Sequence, residues 1–385
     1  MQDARRDHAN ICAAAAQALA NVPAGCRPEV LVGFDGFIDH IIDIVDKRTD
    51  LNTYSRIETI ATFGAKVSAA AGKSAGFGSV ITTTKLGGNG PIMANALCAQ
   101  DLPVTILGIL GKPTIEPVFQ GLASRAKRTL SLGPPAVTNA LEFDDGKIML
   151  NISAPLNEIT FASITATCGG SEGLKLMLKN SAGIATINWT QTQGLTDIWR
   201  RMAKEVLPGL RSDRPYWFVD LCDPHRRTNA DIQAGMQALS AIQAHSEVVL
   251  GLNESECRQL CDVYGIAYST RQPEWEAARE SCVALRSKLG LGMVMCHMVR
   301  SSAVAWSGGT AAAEGFFEPK PKITTGAGDH FNAGFFSALL SGVSPAHCLQ
   351  IGAATSCHYV RTAESPTRAQ LIALLRSPSS SEARG

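Results

Sequence analysis

Residues 247–256 read EVVLGLNESE. The run EVVLGL (247–252) passes without a spacer into Asn253, and Glu256 stands three positions further on. The run is short, apolar and without polar alternation, so it reads as a strand buried on both faces. Asn followed three residues later by Glu marks a helix start. A buried strand that feeds straight into a helix is the repeating unit of a parallel sheet.

The same unit recurs along the chain. EVLVGF (29–34), VTILGI (104–109), GIATIN (183–188), YWFVDL (216–221) and MVMCHM (293–298) read as further buried strands. Helical patterns fall between them at 91–100, 194–206, 228–245 and 274–289. The alternation predicts an α/β fold: a doubly wound, mostly parallel sheet flanked by helices. Two stretches break the rhythm. Residues 40–86 are β-branched, polar and Gly-rich, and 136–152 read as a hairpin turning at Asp144-Asp145-Gly146. They predict a small β-sheet lid built from insertions at 40–86 and 136–152, of the kind that closes over a substrate to exclude water. An exposed β lid also offers a surface through which two copies could pair as a homodimer.

Composition narrows the function. The 385 residues are read as one α/β domain, ample for a large core, with 45% hydrophobic and 18% charged residues. Lys and Arg total 35 against 34 for Asp and Glu, a net charge of +1, which excludes a bulk basic field for nucleic acid or anionic lipid. No run approaches the length that spans a bilayer. Near the start, Arg5 and Arg6 precede an Ala-rich run, but Asp3 and Asp7 sit in the charged part, so a surface helix is predicted rather than a signal peptide. Eleven cysteines in so long a chain, several inside apolar runs, predict free thiols in a reducing cytoplasm. The tail 377–385, SPSSSEARG, is predicted to be disordered.

Five motifs carry candidate chemistry. Gly72-Lys73-Ser74 lacks the first glycine of a P-loop, since Val67 stands there, and is read as a polar turn. Thr324-Thr325-Gly326-Ala327-Gly328-Asp329 opens directly into a helical pattern ending near Gly342. A small-residue turn at a helix start presents free N–H groups to an anion. Asp329, in the first helical turn, either complements the helix dipole or serves as a base beside the phosphate. A carboxylate at a helix start is expected to have a low pKa and so to accept a proton late. Asn253 and Glu256 are either an ordinary capping box or part of a magnesium–water network. Asp35 and Asp39 follow the first strand at the sheet's carboxyl edge, either forming a turn or binding sugar hydroxyls. Gly87-Gly88-Asn89-Gly90 precedes a helix with Pro91 read as its first residue, and suits a polyol or a plain loop.

Taken in order, the four motifs other than Gly72-Lys73-Ser74 resemble the PfkB (ribokinase-like) family of carbohydrate and nucleoside kinases, over roughly residues 29–362. TTGAGDHFNAGF is the specific element. The resemblance implies an ATP-dependent phosphotransferase acting on a hydroxyl of a sugar, with ATP and Mg²⁺ as cofactors. It implies Asp329 as base, Gly326, Ala327 and Gly328 as anion hole, and Asn253, Glu256 and Thr325 as the ATP and magnesium network, Glu256 acting through water. It implies Asp35, Asp39, Gly88 and Asn89 as the acceptor site. The alternatives are a nucleoside kinase of the same fold and a non-catalytic sugar or nucleotide sensor. The chain departs from the family at Ile323, where a carboxylate serves a monovalent cation in some members, at Ile92, and at Cys296-His297-Met298. Arg226 and Arg227 are read as a solvated helix start, Trp189 as a core residue, and His330, one position from Asp329, is assigned no role.

Overall fold

The structure, a computed structural model, describes residues 2–23, 27–268 and 273–377. From residue 378 the tail expected to be disordered lies outside the described residues. In chain order the strands are β1 (Val30–Phe34), β2 (Phe37–Arg48), β3 (Tyr54–Arg56), β4 (Ser79–Gly87), β5 (Val104–Gly108), β6 (Arg128–Ser131), β7 (Ala136–Phe143), β8 (Gly146–Ile152), β9 (Gly183–Thr186), β10 (Tyr216–Asp220), β11 (Glu247–Asn253), β12 (Met293–His297), β13 (Ser301–Trp306) and β14 (Gly309–Glu314). Nine of them form one sheet in the order β14-β13-β12-β11-β10-β9-β1-β5-β6. Neighbours from β6 through β12 are parallel, and β13 and β14 are antiparallel.

The sheet is doubly wound because side chains alternate between its faces. Val30, Val32, Ala185, Phe218 and Val249 belong to a core shared with the helices Gln2–Asn21, Asn89–Ala99, Ala327–Leu340 and Pro345–Thr362. Leu31, Ile184, Trp217, Val248 and Leu250 belong to the opposite core, with the helices Leu195–Arg201, Asn229–Gln243 and Glu274–Leu289. The first helix buries Cys12, Ala15, Ala16 and Leu19, one apolar stripe at helical spacing. β1 pairs with β5 on one side and β9 on the other. The winding therefore reverses at β1, and open α/β sheets form their ligand crevice at the carboxyl edge of such a point.

The lid is a second sheet, β3-β2-β7-β8, with β4 also paired to β2. Its strands begin at Phe37, before the expected insertion, and it holds an unexpected helix, Ile60–Ala69. Thr59 caps that helix by accepting from the Thr62 N–H. Ile60 and Phe63 then pack on Ile42, Leu141 and Phe143, and that apolar pair at i, i+3 is what the β-rich composition hid. Strands β6, β13 and β14 were also not expected. β13 and β14 are rich in Ser, Ala and Gly, and pair outward from β12 without a strong propensity of their own. Among the described residues no helix is long and apolar enough to cross a membrane.

The lid core of Ile42, Ile44, Ile57, Leu141 and Phe143 is separate from both main cores. Truncating Phe143 to Ala costs about 3 kcal/mol of local packing. Phe143→Ala is expected to speed hydrogen exchange in β2, β7 and β8 while β9–β11 stay protected, a contrast that exchange mass spectrometry reads directly.

Candidate active site

The carboxyl edge of the sheet and the inner face of the lid enclose a cavity of about 250 Å³. The lid supplies Asp39, Thr138 and Asn151, which are successive register partners across β2, β7 and β8, with Met149 two residues before Asn151. The segment between β4 and the first turn of the helix Asn89–Ala99 supplies Gly88, Asn89 and Ile92. Asn188 and Gln191 come from the loop after β9, and Cys222, Asp223 and Arg226 from the loop after β10. Thr325, Gly326 and Asp329 complete the wall.

The turn Thr324–Gly328 has the geometry of an anion site. Gly326 is the N-cap of the helix Ala327–Leu340 at φ 90°, a left-handed conformation that favours glycine. The Ala327 N–H is spent inside the turn on the Thr324 carbonyl at 3.1 Å, which removes it from the expected donor set. The N–H groups of Gly326, Gly328 and Asp329 have no acceptor among the described residues. The carbonyls are tied back: Tyr359 Oη donates to Thr325 O at 3.1 Å, and His330 Nδ1 lies 2.8 Å from Gly326 O. A carbonyl only accepts, so Nδ1 carries the proton, and Nε2, 2.8 Å from Ser365 Oγ, accepts. The ring stacks on Tyr359 at 3.6 Å. Burial pushes His330 down to about 4, so it is a neutral brace behind the turn.

Asp329 points into the cavity and accepts from Asn89 Nδ2 at 3.0 Å. Asn89 Oδ1 in turn accepts from the Cys222 thiol at 3.3 Å. Burial, followed by the charges of Asp35, Glu256 and Asp39, pushes the Asp329 carboxyl up to about 7, against the opposing Asn89 bond. The low pKa expected of a helix-start carboxylate is corrected: desolvation outweighs the helix dipole. Burial likewise raises Asp39, which is 6% exposed.

Asp35 is not where the acceptor site was expected. It is buried, and its Oδ1 accepts from the Gly90 N–H at 2.8 Å. Its Oδ2 accepts from the Asn89 N–H at 3.0 Å and from Asn188 Nδ2 at 2.9 Å. These bonds cap the helix Asn89–Ala99, which starts two positions before the expected Pro91 and has Gly88 as its N-cap. Gly90 is required there, since a Cβ would stand 2.6 Å from Asp35 Oδ1.

Asn253 and Glu256 form the capping box in full: Asn253 Oδ1 accepts from the Glu256 N–H at 3.0 Å and Glu256 Oε2 from the Asn253 N–H at 2.8 Å. Glu256 Oε1 accepts from the Asp223 N–H at 2.8 Å, so both oxygens hold backbone donors. Asp220, bonded by Asn332 Nδ2 at 2.7 Å, lies close enough for Glu256 and Asp329 to raise it further above the level burial sets. Arg227 is not solvated: it donates to the carbonyls of Trp189, Thr190 and Thr192 and lies over the buried Trp189 ring at 4.5 Å. Arg226 faces the cavity instead. Thr138, Met149, Asn151, Gln191 and Cys222 had not been assigned to the site. The alternation of the hairpin was the available signal for the first three.

A family model described as prokaryotic ketohexokinase matches residues 7–377. A ketohexokinase from Haloferax volcanii is 30% identical over 346 residues, covering 89% of this chain and 90% of that one. Among solved structures, Arabidopsis thaliana ribokinase complexed with ribose and ATP superposes with a TM-score of 0.63 at 18% identity, over 91% of this chain and 99% of that one. Ribokinase from Cryptococcus neoformans in complex with ADP gives 0.62 at 16% identity, over 90% and 99%. At those identities the two structures share the fold.

Asp329 keeps its proton to about pH 7 when folded but only to its ordinary 3.8 when exposed. Its ionisation therefore opposes folding: the stabilising contribution is complete below about pH 4 and is lost as pH rises through about 7. Asp35, pushed up to about 6, acts in the same direction. The melting temperature is expected to fall between about pH 5 and pH 8, and Asp329→Asn should melt above the wild type at pH 8 with a shallower slope, as scanning fluorimetry would show.

Proposed function

The chain belongs to the prokaryotic ketohexokinase family and so is an ATP-dependent carbohydrate kinase, and we propose that its acceptor is a ketohexose, with Asp329 as the base. The observation that carries this reading is that the buried Asp329 carboxylate shares one cavity with the N–H groups of Gly326 and Asp329, unpaired among the described residues, and with amide, hydroxyl and carboxylate side chains. Asp39, Asn89, Thr138, Asn151, Asn188 and Gln191 can satisfy the several hydroxyls of a sugar. Phe37 is the one aromatic side chain among the lining residues, which favours a polyol over the base of a nucleoside.

In this mechanism the acceptor hydroxyl attacks the terminal phosphorus, and its proton passes to Asp329 as the new O–P bond forms. A base whose pKa lies near 7 is matched to this work at neutral pH. The N–H groups of Gly326 and Gly328 meet the charge on the transferring phosphoryl. Mg²⁺, carried on the nucleotide phosphates, would supply further charge neutralisation; Glu256, with both oxygens already bonded, suits contact through water only. Ten free thiols and no disulfide among the described residues support a reducing cytoplasm.

The outer face of the lid supports a homodimer. Ile81, Leu150 and Ile152 are 54%, 53% and 55% exposed, on the face whose other half the helix Ile60–Ala69 covers. Such a strip asks for a partner, and a second lid offers the same surface.

Phosphate transfer from ATP should be measured against ketohexoses, aldoses and nucleosides. A ketohexose is expected to turn over best, and Asp329→Ala to lower kcat by at least about 10²-fold. Loss of less than tenfold would remove the base assignment, and preference for a nucleoside would replace the substrate. Leu150→Glu combined with Ile152→Glu is expected to yield monomers by sedimentation while wild type yields dimers.

A further inference from the structure

Carboxylates crowd the cavity. Asp39 and Asp329 line it, and Asp220 and Glu256 stand close enough to feel one another. A polyphosphate approaching this edge meets a negative field, which turn N–H groups meet only with partial charges. Arg226 is the one cation among the cavity-lining residues, and it lies 4.0 Å from Asp223 with its side chain 62% exposed.

A second cation stands at the mouth of the turn. Lys147 is on β8, on the same face as Met149 and Asn151 by the two-residue period of a strand, so it shares the lid's inner surface. Its Nζ is 3.4 Å from Thr325 Oγ1, the residue directly before the anion turn, though 178 residues separate them in sequence. The same Nζ is 3.4 Å from Glu142 Oε1, its register partner on β7. The ammonium is thus held between a lid carboxylate and the place where the terminal phosphate would lie. Lysine suits such a post, being a compact charge on a flexible stem with three donors.

We propose that Lys147 is a catalytic residue: on lid closure its ammonium leaves Glu142 and bonds the phosphoryl group transferring at the Gly326–Gly328 turn. The inference rests on the phosphotransfer reading above. The O–P bond to ADP breaks as the bond to the acceptor oxygen forms, the acceptor proton goes to Asp329, and Lys147 stays protonated throughout. The ammonium follows the charge on the transferring group. Because the lysine rides on the lid, charge neutralisation becomes conditional on closure, and water is excluded at the same moment. Glu142, 3.4 Å from the same Nζ, holds the cation beside the turn until phosphate takes its place.

The test uses the full chain and two readouts. Calorimetry with Mg²⁺ measures binding of β,γ-imido-ATP and of ADP, and steady-state kinetics give kcat with a ketohexose. Lys147→Gln is expected to lower kcat by about 10²-fold and to weaken imido-ATP by about tenfold, leaving ADP within about twofold. Lys147→Arg should recover most of the kcat. Lys147 is part-exposed, so the variants keep the fold, and an unchanged melting curve checks this. Equal weakening of both nucleotides, or an unchanged kcat, overturns the proposal in favour of a merely structural lid contact. A wild type that binds imido-ATP and turns over, with Lys147→Gln unimpaired, removes this proposal alone. A wild type that binds no imido-ATP removes the phosphotransfer reading with it.

Discussion

The site hangs on one buried carboxylate, Asp35, that is not among the cavity-lining residues. Asp35 binds the Asn89 and Gly90 N–H groups and the Asn188 amide, and so joins the end of β1, the start of the helix Asn89–Ala99 and the loop after β9. These are the elements that flank the reversal of winding. Without that bond set the helix start would carry unsatisfied donors in a buried place, at a cost of about 1–3 kcal/mol each. With it, Asn89 is fixed by its own main chain, and its side chain meets Asp329. The candidate base is therefore positioned through Asn89, by the same contacts that fix the end of β1. Cys222 closes the chain of contacts by donating to the other end of the Asn89 amide.

Crowding of acids is the second constraint, and it gives the site its chemistry. An isolated carboxylate in the first turn of a helix is stabilised as the anion. Here Asp329 is shut away from water and faces Asp35, Asp39 and Glu256, so the neutral form is favoured until about pH 7. What costs the fold stability is what makes the group a competent proton acceptor at neutral pH, the usual exchange between stability and activity. The brace of His330 and Tyr359 behind the turn engages the carbonyl oxygens of Gly326 and Thr325, while the Gly326, Gly328 and Asp329 N–H groups have no acceptor among the described residues.

How far this was legible differs by element. The six core strands stood out because each is a short apolar run, and the helix Glu274–Leu289 matched its pattern to the residue. The turn at 324–329 was legible because small residues at a helix start have few other physical uses. Asp35 and Asp39 could not be told apart, four residues apart at the same sheet edge. Only the fold reveals that a strand begins at Phe37 and carries Asp39 up into the lid, while Asp35 stays below and is consumed by backbone donors. Nor could the second backbone partner of Glu256 be read, since the Asp223 N–H comes from another loop. The pKa of Asp329 was misjudged for the same reason: the helix dipole is local and written in sequence, whereas burial and neighbouring charge come from distant segments.

The lid shows why an insertion at this point in the chain matters. It is spliced directly after β1, at the reversal of winding, so its first strand leaves the sheet beside the crevice itself. A strand presents alternate residues to one side, and three neighbouring strands turn that period into rows. One row brings Asp39, Thr138 and Asn151 to the cavity wall. Further along β8, the same face carries Met149 and then Lys147, so apolar cover and a cation follow the hydroxyl ligands in a straight line toward Thr325. In the proposed mechanism, acceptor recognition and charge delivery therefore share one surface. That surface has its own small core, so under the proposed mechanism closure over the sugar would also bring the lysine to the phosphate.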